Sequence, residues 1–331
     1  MERVLSGMRP TGKLHLGHLE GVLKSYVKMQ DEYEVYYMVA DWHALTTDYE
    51  KPFDVASNAL EMYIDWLSVG IDPKKATMFI QSEIKEHSEL YLLLGLLTPV
   101  PWLERNPTYK EQKKEIKEKD LSTYGFLGYP VLQAADILVY NANKVPIGED
   151  QRPHLELTRE IARRFNFLYG QFFNEPQEIL TPIPKLPGID GRKMSKSYNN
   201  AIFLSDSKEE VSKKVKLMFT DPLKIKKNDL GHPDNCVVCA FHKVYNSEIV
   251  DGVIAECRKG IRGCVDCKNQ LATKLNEILE PIREKRNEIE KNIDNIKDII
   301  KDGNKRAEKT AKEVMVKVRE KMRLNLEFLN K

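Results

Sequence analysis

Ser6-Gly7-Met8-Arg9-Pro10-Thr11-Gly12-Lys13-Leu14-His15-Leu16-Gly17-His18 follows a short strand-like run at Val4-Leu5. It leads into apolar residues at helical spacing, Leu16, Leu19, Leu23, Tyr26 and Val27. A strand, a glycine-containing turn and a helix start make a phosphate site, because the first N–H groups of a helix lack intrahelical partners and point outward. His15 and His18 lie three apart there and face one ligand. Gly17 has no side chain to hold an adenine or ribose away from the backbone.

Residues 33–41 are rich in aromatic and β-branched side chains and read as a buried strand, with Trp42-His43-Ala44 at its carboxyl end. Residues 54–69 carry a helical period that Gly70 closes. Thr77 to Ile80 reads as a third strand, followed by an apolar helix from about His87 to Leu97. Val145-Pro146-Ile147 reads as another strand, entering a tight turn at Gly148 and a helix start at Glu149, Asp150 and Gln151. This alternation predicts an α/β fold, a Rossmann-like parallel sheet with helices on both faces. Ligands bind such sheets at the carboxyl ends of strands, where Gly7 and His43 fall.

Two further stretches carry chemistry. Lys193-Met194-Ser195-Lys196-Ser197 follows Gly188-Ile189-Asp190-Gly191, placing two lysines on a flexible loop that can close over a triphosphate. Tyr129 to Tyr140 is apolar apart from Gln133 and Asp136, which share a helix face. A carboxylate facing an apolar pocket is costly without a partner, and an indole N–H is a suitable donor.

His15-Leu16-Gly17-His18 and Lys193-Met194-Ser195-Lys196-Ser197 resemble the two hallmark motifs of class I aminoacyl-tRNA synthetases. Tyr129 to Leu138 and Val145 to Gln151 resemble the bacterial-type tryptophanyl pattern within that class. The resemblance implies ATP-dependent ligation of L-tryptophan to tRNA(Trp) through tryptophanyl-adenylate, with Mg²⁺ on the leaving pyrophosphate. It implies catalytic roles for His15, His18, Lys193, Ser195 and Lys196. Arg9, Pro10, Thr11, Gly17, Gly148, Glu149, Asp150, Met194 and Ser197 would hold ATP beside them, with Asp150 on the ribose. Gly7, His43, Tyr129, Gln133, Asp136 and Gln151 would hold the amino acid, Asp136 taking the indole N–H while Gln151 and Tyr129 take the ammonium. Two residues depart from the pattern: Arg9 stands where glutamine is common, and Gln133 where methionine often stands. Gln133-x-x-Asp136 is also a tyrosyl-enzyme pair, so a tyrosyl-tRNA synthetase is the second reading and a non-catalytic tRNA-binding relative the third.

The chain has 331 residues, 41% hydrophobic and 31% charged, with a formal net charge of +2. That describes a globular protein whose RNA contacts, if any, come from local basic patches rather than total charge. No apolar run is long enough to span a membrane and no signal peptide is evident, so a cytoplasmic protein is expected. Residues 1–205 are expected to form the catalytic domain. From about Asp206 the chain turns charged and helical, so 206–331 is expected to form a smaller all-α domain, which the resemblance makes the anticodon reader and part of a homodimer. The charged run from Leu103 to Lys119 reads as an exposed amphipathic helix, with contact to tRNA or a partner subunit as the alternative.

All five cysteines fall in one window, C-x2-C-x17-C-x6-C-x2-C from Cys236 to Cys267. In a cytosolic enzyme this clustering points to metal rather than disulfides. Zinc would take Cys236, Cys239, Cys264 and Cys267, leaving Cys257. A [4Fe–4S] cluster would take Cys236, Cys257, Cys264 and Cys267, leaving Cys239. The C-x6-C-x2-C ending resembles a subset of tryptophanyl enzymes with such a cluster, and the reading leans that way.

Overall fold

The computed structural model describes residues 1–50, 54–110, 121–180, 186–196 and 198–324. Ser197 and most of the charged run after Leu103 lie outside the described residues. Five strands, β1 (Arg3–Met8), β2 (Glu34–Val39), β3 (Thr77–Ile80), β4 (Lys144–Ile147) and β5 (Gln177–Leu180), form one parallel sheet in the order β3-β2-β1-β4-β5. The chain builds outward from β1 to β3, then crosses back to lay β4 on the other side of β1. The order therefore reverses between β1 and β4, and these two strands pair only at Val4 and Lys144. A crevice opens at their carboxyl ends, where a reversal of strand order leaves room for a ligand.

Successive side chains of β2 enter opposite cores, as a strand covered on both faces requires. Val35, Tyr37 and Val39 pack on one side with Tyr26, Tyr63 and Trp66. Tyr36 and Met38 pack on the other with Leu90, Ile137 and Phe165. The chain thus forms the expected parallel sheet with helices on both faces, followed by a helical region. β5 was not anticipated: Gln-Glu-Ile-Leu on the sheet edge is exposed at both ends and has no apolar alternation to mark it.

The helical region comprises Lys208–Leu217, Val237–Tyr245, Val250–Arg258, Cys264–Glu290 and Ile293–Lys321. Val211, Phe241 and Leu271 join the first core of the sheet. The last helix turns back to the β3 edge. Asn304 Oδ1 accepts from Ile80 N at 2.9 Å, and a Cβ at Gly303 would run into the Met78 carbonyl, so glycine permits the close approach. Ala307, Ala311, Val314 and Val318 enter the second core at helical spacing. Val316 stays 46% exposed, because two residues from Val314 and Val318 it faces away from them.

A buried ion pair ties this region to the motif after β1. Arg286 bonds Asp65 and Glu61, and the second Asp65 oxygen accepts from Leu14 N at 2.7 Å.

Candidate active site

A cavity of about 460 Å³ fills the crevice. The end of β1 contributes Gly7 and Arg9, and the helix that follows contributes His18 and Gly21. His43 comes from the Asp41–Asp48 helix; Tyr129, Gln133 and Asp136 come from Tyr124–Leu138; Gly148, Gln151 and His154 come from beyond β4.

His15 caps the short Leu16–His18 turn, its Nδ1 accepting from Gly17 N at 3.1 Å. His18 Nδ1 accepts from His15 N at 3.2 Å. A backbone N–H can only donate, so each Nδ1 is an acceptor and each neutral ring carries its proton on Nε2. Burial, assisted by Lys196, lowers His15 to about 4. Burial, then His15 and Lys196, lowers His18 to about 3. At neutral pH the pair therefore presents two uncharged N–H donors. A Cβ at Gly17 would sit 3.0 Å from the His15 ring, so a larger residue there would have to push that ring aside.

The lysine loop reaches this turn through backbone pairing. Leu16 N donates to Ile202 O at 2.9 Å, and Leu204 N donates to Leu14 O at 3.0 Å. Lys196 Nζ then donates to Thr11 O at 2.5 Å and Thr11 Oγ1 at 3.1 Å. Burial pulls this ammonium down to about 8, with Asp65 and Glu61 opposing. Met194 is buried beside Gly17, and the Lys193 side chain is exposed. Asn200, which no sequence signal marked, braces the loop: Ser195 N donates to its Oδ1 at 2.8 Å, and its Nδ2 donates to Asp190 Oδ1 at 2.8 Å.

Asp136 is buried and fully partnered. His87 Nδ1 bonds Oδ1 at 2.6 Å, His43 Nε2 bonds Oδ2 at 2.8 Å, and Gln81 Nε2 reaches both oxygens. Burial pushes the carboxyl up, but the hydrogen bonds and charges of His43 and His87 more than offset it and hold it below the usual carboxylate range. Gln81 and His87 did not emerge from the sequence, although they follow β3 at the carboxyl edge of the sheet, the one positional signal that could have found them.

Tyr129 and Gln151 stand on the cavity wall. Tyr129 OH bonds His154 Nε2 at 3.0 Å, and Asn106 Nδ2 donates to His154 Nδ1 at 3.2 Å. His154, which no sequence signal marked, is 1% exposed and lines the cavity. Gln151 Nε2 donates to Asp150 Oδ2 at 2.7 Å, and both Glu149 and Asp150 are exposed. Arg9 Nη1 donates to Thr47 Oγ1 at 3.3 Å beside an ion pair with Asp48. Pro10 is buried and Thr11 exposed at the foot of the lysine contact.

All five cysteines are unpaired and line a second, small cavity. Cys236 precedes the Val237–Tyr245 helix, Cys257 lies near the end of Val250–Arg258, and Cys264 and Cys267 open the long helix. Burial pushes Cys239 up to about 11. Burial, then the neighbouring Cys236, also raises Cys257 and Cys264, while Lys224 opposes. Among the described residues no three His, Cys, Asp or Glu side chains are grouped as ligands of one metal ion.

The family of class I tRNA synthetases for W and Y matches residues 1–280. The tryptophan–tRNA ligase of Thermotoga maritima is 51% identical, over 88% of this chain and 89% of its own. That of Aquifex aeolicus is 48% identical, over 87% and 91%. Among solved structures, the tryptophanyl-tRNA synthetase of Campylobacter jejuni complexed with ADP and tryptophan superposes with a TM-score of 0.85. It is 34% identical and covers 97% of this chain and 99% of its own.

Proposed function

The chain belongs to the class I tRNA synthetases of the tryptophan and tyrosine family, and from this premise we propose that it joins L-tryptophan to its tRNA through an adenylate made from ATP. One observation carries the reading. A cavity at the reversal of the sheet joins the neutral donor His18, with His15 and the half-buried Lys196 beside it, to a buried carboxylate that can only accept. The tryptophan carboxylate attacks the α-phosphorus, and pyrophosphate leaves. Such transfers need placement and charge neutralisation more than covalent help from the protein. His15 and His18 donate their Nε2 protons as hydrogen bonds to the phosphate oxygens. Lys196 and Lys193, with Mg²⁺, meet the charge on the leaving pyrophosphate, and Ser195 and Ser197 add donors. Arg9, Pro10, Thr11, Gly17, Gly148, Glu149, Asp150 and Met194 frame the nucleotide. Asp136 accepts the indole N–H, Tyr129 and Gln151 hold the ammonium, and Gly7, His43 and Gln133 shape the rest. ATP–pyrophosphate exchange tests this: exchange with tryptophan and none with tyrosine supports it, while exchange with tyrosine alone turns it into the tyrosyl reading. No exchange alongside tight tRNA binding leaves only the non-catalytic relative.

Three finer points belong to the same proposal. Residues 206–331 meet the anticodon arm, where Lys208, Lys213 and Lys216 flank a shallow groove. Cys236, Cys257, Cys264 and Cys267 hold a [4Fe–4S] cluster. Thiolates are its donor set, and the four cysteines, drawn from three elements, line one small cavity. When bound, the cluster supplies a cross-link among those elements, and no reaction step passes through it. Anaerobically purified protein should be brown, with about four irons per chain, the colour lost in Cys257→Ser and kept in Cys239→Ser; a colourless protein with one zinc rejects the cluster. Exposed Leu92, Leu96, Val100 and Tyr124 supply the apolar face of a symmetric dimer, which sedimentation tests. Among the described residues no helix is long and apolar enough to cross a membrane, and five unpaired cysteines suit the reducing cytoplasm, where we place the enzyme.

A further inference from the structure

A carboxylate offers about four lone-pair positions, and those of Asp136 are already taken. Gln81 Nε2 lies 2.8 Å from Oδ1 and 3.0 Å from Oδ2, so one amide nitrogen spans the pair. His87 takes the remaining position on Oδ1 and His43 the one on Oδ2. Only 2% of the Asp136 side chain is exposed. A ring N–H approaching from the cavity finds no free position.

The three donors are not held equally. Gln81 is fully buried, and its Oε1 accepts from Trp42 N at 3.1 Å. His87 is also fully buried, and its second nitrogen bonds Tyr140 OH at 2.8 Å. His43 alone lines the cavity, its side chain is 14% exposed, and its ring makes no second hydrogen bond among the described residues. Swapping one donor for another on a buried anion is close to neutral, whereas removing a donor without replacement costs the desolvation of that anion. The donor that can leave is His43, and only a newcomer that brings its own N–H makes its departure cheap.

We propose that tryptophan enters by exchange: its indole N–H replaces the His43 Nε2–H on Asp136 Oδ2, while His87 and Gln81 keep the carboxylate in place. His43 thereby acts as a specificity-determining residue, admitting rings that carry a donor and taxing those that do not. The exchange rests on the tryptophan reading above.

The test is NMR of the full-length protein with ¹⁵N-labelled histidine, the His43 ring signal being identified by its absence in His43→Gln. Saturation with L-tryptophan should abolish the downfield, hydrogen-bonded His43 Nε2–H signal and leave that of His87 Nδ1–H in place. Saturation with L-3-(benzothiophen-3-yl)alanine, whose sulfur replaces the ring N–H, should leave both signals. A His43 signal that survives bound tryptophan overturns the exchange. So does loss of that signal with both ligands, which marks simple crowding. Where the analogue does not saturate, the tryptophan arm decides alone. Absence of any tryptophan binding to the unmodified protein sinks the functional reading itself, and with it the exchange.

Discussion

Asp65 and Asp136 are both buried, yet their surroundings set them to opposite tasks. Asp65 is paired with a cation, Arg286, and with the Leu14 amide, and burial still pushes its carboxyl up to about 6. Asp136 has no permanent cation beside it, only an amide and two imidazoles, and its carboxyl is held low. The first arrangement joins the long helix to the motif loop by charges that neither partner can release cheaply. The second keeps an acceptor-only anion at a cavity wall with donors that can be traded. A buried carboxylate therefore does not announce a site by itself; the kind of donor around it does.

The sharpest way to break this contrast is to remove Arg286. Truncating one partner of a buried ion pair costs about 3–5 kcal/mol, so Arg286→Ala should lower unfolding stability by that amount in urea titration. Replacing Arg286 and Asp65 together, as in Arg286→Met with Asp65→Leu, should recover only part of the loss, since Glu61 and the Leu14 N–H then lack their partners. A single substitution costing under about 1 kcal/mol would mean a pair as weak as an exposed one.

Asp136→Asn attacks the other side. It turns an acceptor-only group into one that also donates, and hydrogen bonds to a charged acceptor contribute about 1.5–3 kcal/mol. The expected result is a fall of about a hundredfold in kcat/KM for tryptophan, with KM for ATP little changed and a smaller loss of stability than at Arg286. Equal damage to both substrates would make Asp136 a structural residue like Asp65.

How much of this was legible in the sequence follows from distance along the chain. β1, β2 and β3, the histidine turn and the lysine loop announce themselves through patterns a few residues long, because local backbone preference and apolar alternation create them. The meeting of Lys196 with Thr11 was legible only as chemistry: two incomplete phosphate sites each needed the other. Gln81, His87 and Asn106 stayed hidden because their partners lie 48 to 55 positions away, and nothing local distinguishes them from surface residues. The return of the last helix to β3 depends on Gly303 meeting Met78, a contact that topology creates and composition does not.

The lysine loop offers a pH test of intermediate size. The Lys196 ammonium is present below about pH 8 and lost above it, so adenylate formation should fall as pH rises through that value. His15 and His18 stay neutral down to about 4 and 3, so no limb near pH 6.5 is expected from them. Lys196→Arg should move the alkaline limb up beyond the assay range, since a guanidinium does not deprotonate there. A limb that stays at the same pH in that variant assigns it elsewhere.

The smallest effect is expected at His154, where the direction of each hydrogen bond can be worked out. Thr108 N can only donate and does so to Asn106 Oδ1 at 3.0 Å, which turns the Asn106 amide nitrogen toward His154 Nδ1. His154 is neutral, lowered to about 4 chiefly by burial, so its proton lies on Nε2 and is donated to the Tyr129 oxygen. Tyr129 keeps one lone pair to accept from the substrate ammonium and one proton to give elsewhere. His154→Leu removes the bond that orients the phenol, a loss of about 1 kcal/mol. KM for tryptophan should rise about fivefold at nearly constant kcat, and Tyr129→Phe should add little on top of it. A drop in kcat with unchanged KM would place Tyr129 in the transition state instead, and the contrast between replaceable and fixed partners would then have to include the phenol.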